Sequence, residues 1–250
     1  MTGFILFQNA VLRVLRHLDE ALAVSGLIWI GILILQILVF GSVDMEGLAA
    51  GDPEAVSGNG LMLLFAANIV MAVGSCWIAV EWHRYALEGK RPTSAFPSWS
   101  GGRIFSYLIL SIVMGLLVGL LIVLWGGVFL SLFGGILPQS VGALFLIVLV
   151  GLPAAFVFFR ISPMLPGVAI GNKVPMGEAW RATKPHSGPI LQAAILSVAV
   201  LMVVQVIAPV FGSGIIGLLY ELAAGWILLM INVSLLSSIY ELAMKGHLND

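Results

Sequence analysis

The side chains that could support catalysis are few and are spread along the chain. The 250 residues include four histidines, one cysteine and twelve carboxylates. They form no H-E-x-x-H pair, no glycine-rich phosphate loop and no pair of aspartates within an apolar run. His186 precedes Ser187 directly, but adjacent residues seldom aim at one point. Cys76 lies within an apolar run, where a small buried thiol is the usual structure. The sequence therefore predicts neither an enzyme nor a cofactor or metal site.

The basic residues indicate a different chemistry, the binding of anionic groups at a surface. The segment RISPMLPGVAIGNKVPMGEAWRATKP, residues 160–185, carries four of the eleven Lys and Arg residues between two long apolar runs. Its second half predicts a helix of about three turns that starts at Pro175 and is stopped by Pro185. Met176, Ala179, Trp180 and Thr183 would share one face of this helix, which suits a helix lying on a membrane surface.

A shorter basic segment, EWHRYALEGKRP, begins at Glu81 and contains Arg84. Our candidates for contact with lipid headgroups or a partner protein are Arg84, Arg160, Trp180 and Arg181. The open alternative is that both segments are ordinary interfacial linkers, because basic residues beside membrane spans are needed for topology alone.

Two further polar residues, Gln205 and Glu221, lie in or next to apolar runs, where they need an explanation because hydrocarbon solvates them poorly. If a helix begins at Ile215, Glu221 lies about 9 Å inside it. If the crossing begins near Leu222, Glu221 lies at the outer interface, which we favour. A deep Glu221 that faced Gln205 or Gln36 would favour a proton or cation role. Gln205 otherwise suits a hydrogen bond between helices.

The composition of the chain is that of a membrane protein, so each of these residues has to be assigned a position relative to the bilayer. The chain is 60% hydrophobic and 9% charged, with a mean hydropathy of +1.11, which is far too apolar for an average soluble domain. Its formal net charge is −1. We therefore expect one transmembrane domain over residues 1–250, with membrane phospholipids and not nucleic acid as its partners.

Six apolar runs have about the 20 residues that a helix needs to cross a bilayer. They predict an all-α, polytopic membrane helical bundle with crossings at residues 21–41, 61–82, 104–126, 141–159, 190–211 and 215–239. Residues 127–136 either extend the third crossing or form a short interfacial helix. Residues 1–20 alternate polar and apolar side chains at helical spacing, which predicts an amphipathic interfacial helix. They do not have the order of a secretory signal, so we expect no cleavage.

The positions of the charges predict the orientation. With six crossings, all eleven Lys and Arg residues fall on one side, whereas the first loop on the other side holds only acidic residues, Asp44, Glu46, Asp52 and Glu54. An excess of Lys and Arg marks cytoplasmic loops. Both termini are therefore expected in the cytoplasm. Trp82 and Tyr85, at the end of the second crossing, are expected at the membrane interface.

The third crossing carries small residues at a spacing of four, Ser111, Gly115 and Gly119. Such a series permits close approach of two helices. We expect it to pack within one chain, and a homodimer through this face is the alternative.

Three short motifs of the predicted cytoplasmic segments resemble a known pattern: Trp82-His83-Arg84 with Leu87 and Gly89, Arg160-Ile161-Ser162 with Leu165-Pro166, and Glu178-Ala179-Trp180. Through them the chain resembles uncharacterised six-span inner-membrane proteins of alphaproteobacteria. More distantly, it is similar to the membrane domain joined to some bacterial glycerophosphodiester phosphodiesterases. The resemblance implies a helical bundle of the bacterial inner membrane and brings no established activity. The soluble catalytic domain of those phosphodiesterases is not seen in this sequence, so their reaction is not expected.

These features together predict a non-enzymatic inner-membrane protein with a basic cytoplasmic surface for lipid headgroups or a partner protein. The alternative is the permease subunit of an ABC-type or other transporter. Such a subunit would dimerise and bind a separate ATPase through residues 160–185 or the N-terminal helix. The predicted spans show no polar stripe for a hydrophilic pathway, although a lipid substrate needs none.

Overall fold

The structure is a computed structural model that describes residues 2–40, 47, 58–91, 97–134, 136, 142, 145–212 and 214–245. For residues 40, 58, 59 and 245 it describes the backbone alone. The predicted acidic loop that holds Asp44 and Glu54 lies outside these ranges, and so does most of the predicted turn at residues 134–140.

The described secondary structure is entirely helical. The α-helices are α1 Gly3–Arg16, α2 Leu18–Phe40, α3 Gly58–Glu88, α4 Gly101–Phe133, α5 Leu152–Ile161, α6 Met164–Ile170, α7 Met176–Thr183, α8 Ser187–Ile207 and α9 Ile215–Tyr240. One π-helical turn, Ile147–Gly151, precedes α5, and another, Glu241–Lys245, follows α9.

Six helical segments are long and apolar enough to cross a membrane: Leu18–Val39, Gly60–Glu88, Gly101–Phe133, Ile147–Ile170, Met176–Phe211 and Ile215–Met244. The prediction of an all-α bundle with six membrane-spanning helices is therefore confirmed. Helix α4 runs without a break for 33 residues, so residues 127–133 extend the third crossing. At a rise of about 1.5 Å per residue α4 is about 50 Å long, which exceeds a hydrocarbon core of about 30 Å.

Prolines set the ends of the helices in the segment at 160–185. Helix α5 ends at Ile161, just before Pro163, and α6 starts directly after that proline. The helix is interrupted at Ser162 and Pro163, after which the chain resumes as a helix. Gly171 ends α6 in a left-handed conformation with φ of 84°. Pro175 is the residue immediately before α7, and Pro185 lies in the 3₁₀ turn that joins α7 to α8.

One end of the bundle gathers the last turns of α3, α5 and α9 and the first turns of α4 and α8; we name it the basic end. Helix α1 packs across α8 and α9 at this end. The backbone N–H of Gly3 donates to Oε1 of Gln192 at 2.8 Å. At the other end of α1, Arg13 pairs with Glu241 at 2.6 Å. These two contacts fix the helix at both ends.

Helix α1 has the amphipathic pattern that the sequence predicts, with an additional face buried against protein. Leu6, Ala10 and Val14 are buried between α1 and its neighbours. Phe4 and Leu15 are exposed apolar side chains, as expected for a helix whose outer side meets lipid.

Helix α3 lies at the centre of the bundle, because it packs against α2, α4, α6 and α9. Trp82 on this helix is fully buried, with its ring centroid 5.4 Å from that of Tyr85. The ring therefore faces protein and not lipid headgroups, and the depth of Trp82 relative to the membrane stays a prediction. Hydropathy places the residue near the end of a span, but the surrounding helices decide that its ring faces protein.

Candidate functional site

Arg160 is the most enclosed of the predicted site residues, with 5% of its surface exposed. Its guanidinium donates to Oγ1 of Thr183 at 2.9 Å, to Oγ of Ser187 at 2.9 Å and to the carbonyl oxygen of Trp180 at 2.7 Å. Among the described residues no carboxylate pairs with it. Arg160 therefore holds the end of α5 against α7 and the start of α8. Its role as a headgroup contact stays a prediction.

Trp180 and Arg181 lie on the more exposed sides of α7. Trp180 is 41% exposed, and the guanidinium of Arg160 lies against its ring. Ala179 and Thr183 are buried on the inner side of the helix. The residues that the sequence predicts on one face of α7 therefore lie in two environments, some against protein and some exposed. Arg181 is exposed, and its Nε donates only to the carbonyl of Gly177, one turn earlier.

Arg84 is engaged within the protein. Its guanidinium pairs with Glu81 at 2.7 Å and lies 3.9 Å from a carboxylate oxygen of Glu88. It also donates to the hydroxyls of Ser98 and Ser100, both at 3.1 Å. These contacts join the end of α3 to the residues that precede α4. The charge of Arg84 is thus largely balanced, whereas that of Arg181 is not.

Other basic residues at this end are exposed and lack a carboxylate partner among the described residues. Together with Arg181 they form what we name the basic surface: Arg16, Arg91, Lys173, Arg181 and Lys184. Arg103 adds to it, because its guanidinium nitrogen is 3.7 Å from the Cβ position of Gly171, close to Lys173 in the chain. Of these residues, the sequence singled out only Arg181 as a site candidate, whereas the other charges served to predict the orientation.

Gln205 and Glu221 lie at the opposite end of the bundle. Both side chains are exposed. The hydroxyl of Tyr220 donates to the carbonyl of Val204 at 2.9 Å, which places the two candidates at the same level on α8 and α9. Glu221 lies about 9 Å along α9 from its first residue. Neither side chain lines the central cleft described below.

A buried chain of hydrogen bonds crosses the centre of the basic end, and the sequence analysis missed it. His83 is fully buried, with Nδ1 2.8 Å from Oγ of Ser237 and Nε2 3.2 Å from the hydroxyl of Tyr107. Ser237 itself donates to the carbonyl of Val233 at 3.1 Å. A neutral imidazole that donates from Nδ1 to Ser237 accepts at Nε2 from Tyr107. This tautomer is the one that fits all three bonds when the Ser237 proton is directed at Val233.

The space between the helices contains two adjacent clefts that share part of their lining, and we name them together the central cleft, with an outer and an inner lobe. Its outer lobe has a volume of about 650 Å³ and is lined by residues of all six spanning segments. Its inner lobe, towards the basic end, has a volume of about 300 Å³. Four residues border both lobes: Ser75, Phe158, Leu229 and Asn232.

The small residues of α4 border this cleft. Ser111 and Gly115 line the inner lobe. A Cβ added at Gly115 or Gly119 would meet no atom within 4 Å. The prediction that this series packs closely within one chain is therefore wrong for the two glycines. Their missing side chains leave open space beside the cleft.

The described residues contain no group of three or more His, Cys, Asp or Glu side chains that could hold a metal ion. Comparisons of the chain with protein-family models, with curated proteins and with solved structures find no match. Two features of the described residues bear on function, the basic surface and the central cleft.

Proposed function

We propose that this integral membrane protein is non-enzymatic and that its basic surface binds the headgroups of anionic phospholipids. The observation that carries the proposal is the contrast between two classes of basic residue at one end of the bundle. Arg13 and Arg84 pair with carboxylates. Lys173, Arg181 and Lys184 are exposed, and no described carboxylate pairs with them. These three charges are available to an external anion.

The location of these charges supports a lipid as that anion. Arg181 lies on α7, and Lys173 and Lys184 lie just before and just after this helix. Met176 and Trp180 of α7 are partly exposed. Exposed apolar and aromatic side chains beside basic ones are typical of a helix in the membrane interface. Basic residues near a membrane surface attract anionic lipids with about 1 kcal/mol each. We further propose that the membrane is a bacterial inner membrane and that the basic end faces the cytoplasm, as the positive charges favour.

The test is a lipid titration of the purified full-length protein followed by native mass spectrometry. The triple variant Lys173→Gln, Arg181→Gln and Lys184→Gln is expected to bind phosphatidylglycerol about a hundredfold more weakly at low salt, from about 1 kcal/mol per charge. The matched control is Arg84→Gln, because that charge already has carboxylate partners. Equal retention of phosphatidylglycerol by the triple variant and the wild type would refute the headgroup function.

A second function, transport as a permease subunit, is favoured by the central cleft, since every spanning segment contributes to its lining. The same spectra separate the two proposals when the protein is extracted gently from its own membrane. A stoichiometric ATPase would establish the transporter subunit. A monomer or homodimer that retains anionic phospholipid supports the headgroup function.

A further inference from the structure

We propose that the central cleft is a binding site for an uncharged long-chain lipid whose polar end carries a hydroxyl group. The chain occupies the outer lobe and the hydroxyl lies in the inner lobe. This site is separate from the basic surface, because no charged side chain among the described residues lines either lobe.

The position and size of the cleft are those of a ligand site. The two lobes have volumes of about 650 and 300 Å³, and small-molecule sites have volumes of about 300–1,000 Å³. Residues of all six spanning segments line the outer lobe, and both lobes are open to the surroundings of the bundle. The surrounding bilayer has access to such an open cleft, and it supplies molecules with long apolar chains.

Both lobes are mainly apolar, and each has a few polar groups. Met71, Ile122 and Leu201 are among the many apolar side chains of the outer lobe, where Ser197 has a buried hydroxyl without a described partner. Three polar side chains, Cys76, Tyr107 and Ser111, border the inner lobe and not the outer one. They mark the end of the cleft at which we place the polar end of the ligand.

The absence of charge in this lining selects an uncharged occupant. A phosphate or carboxylate in the cleft would have no cationic side chain beside it, and a buried unpaired charge is strongly unfavourable in a low-dielectric interior. Anionic phospholipids are therefore expected at the basic surface and excluded from the cleft.

Two groups of the inner lobe present acceptors to a ligand. In the tautomer that donates from Nδ1, Nε2 of His83 accepts from the hydroxyl of Tyr107, whose phenolic oxygen then presents its lone pairs to a ligand. Asn232 donates from Nδ2 to the carbonyl of Leu228 at 2.8 Å, which leaves its Oδ1 as an acceptor. A hydroxyl on the lipid donates to such acceptors and also accepts from the serine hydroxyls of the same lobe.

The test uses a dioleoylglycerol analogue that carries a photoreactive diazirine on one acyl chain, added to the full-length protein in nanodiscs. Cross-links are expected on residues of the outer lobe, such as Met71 and Leu229, and excess unlabelled dioleoylglycerol is expected to reduce them about tenfold. Gly115→Phe is expected to reduce the same cross-links about tenfold, because the new ring fills the open space beside the inner lobe. Gly31→Phe is the matched control, since Gly31 also has no atom near its Cβ position but lies away from the cleft.

Cross-links that scatter over exposed side chains such as Leu116, and that unlabelled lipid does not reduce, would overturn the proposal. Equal competition by dioleoylphosphatidylglycerol would overturn the choice of an uncharged lipid. Asn232→Leu is a second variant that keeps the volume of the side chain, and it is expected to weaken competition by dioleoylglycerol. The wild-type cross-link map decides the proposal even if a variant does not fold. Loss of phosphatidylglycerol binding at the basic surface leaves the cross-link map of the cleft unaffected. The headgroup function and the cleft ligand can therefore be refuted independently of each other.

Discussion

The guanidinium carbon of Arg160 lies 4.2 Å from the ring centroid of Trp180, and the same guanidinium donates a hydrogen bond to the backbone carbonyl of Trp180 at 2.7 Å. Two sequence-predicted candidates for lipid contact thus contact each other. A cation over an indole ring in a desolvated place stabilises a structure by up to about 2 kcal/mol. This pair therefore orients α7, and with it the exposed charges of Lys173, Arg181 and Lys184.

Replacing Arg160 with lysine is expected to destabilise the protein. One ammonium group cannot reproduce the planar fork that bonds Thr183, Ser187 and Trp180 together. The expected loss in the free energy of unfolding is about 1–3 kcal/mol, measured by SDS-induced unfolding in mixed micelles. Arg181→Lys is the control, because Arg181 is exposed and bonds only within its own helix. Equal stability of both variants would contradict the structural role of Arg160.

Replacing His83 with phenylalanine removes the centre of the buried chain between Tyr107 and Ser237. The hydroxyl of Tyr107 then has a proton without its buried acceptor, and we expect a loss of about 1–3 kcal/mol in the free energy of unfolding. In a Tyr107→Phe background we expect His83→Phe to lower the free energy of unfolding by less than it does in the wild type. The difference between the two losses, which is the coupling energy of the pair, is expected to be about 0.5–3 kcal/mol. Strict additivity of the two changes would argue against the hydrogen bond. His17→Phe is the control, since the side chain of His17 is 46% exposed.

The contact of Gly3 with α8 predicts a strong response to one added methyl group. A Cβ at Gly3 would collide with the carbonyl oxygen of Pro189 and with the side chain of Gln192. Gly3→Ala is therefore expected to displace the first turn of α1, seen as at least about tenfold faster hydrogen exchange of its amides. Gly26→Ala is the matched control, because no atom lies within 4 Å of its Cβ position. Unchanged exchange in Gly3→Ala would show that α1 does not dock as described.

The orientation of the bundle is tested with reporter fusions at Gly51 and Gly101. Gly51 lies in the acidic stretch that the sequence predicts to be a loop, and Gly101 begins α4 at the basic end. Because the Lys and Arg excess marks the cytoplasmic side, we expect alkaline phosphatase activity at Gly51 and green fluorescence at Gly101. The reverse result would invert the topology, and phosphatase activity at both positions would contradict the number of crossings between them.

The sequence by itself determined the six spanning helices and the grouping of the basic residues beside their ends. Both are properties of consecutive residues: about 20 apolar side chains in a row need a bilayer, whatever they pack against. Pro163 could likewise be assigned to a helix break, because a proline disrupts helical hydrogen bonding locally.

Only the tertiary structure decided which side chains face one another. The sequence gives no reason to separate Arg160 from Arg181, yet one is bonded within the protein and the other is exposed. It places Trp82 near the end of a span but does not show that the ring is fully buried within the protein. His83 meets Ser237 across 154 positions of sequence, and Gly115 borders a cleft where its spacing predicted a packed helix. Such pairings depend on the rotation and tilt of the helices. In a bilayer an apolar side chain is well solvated whether it faces lipid or protein, so hydropathy does not fix the rotation of a helix about its axis.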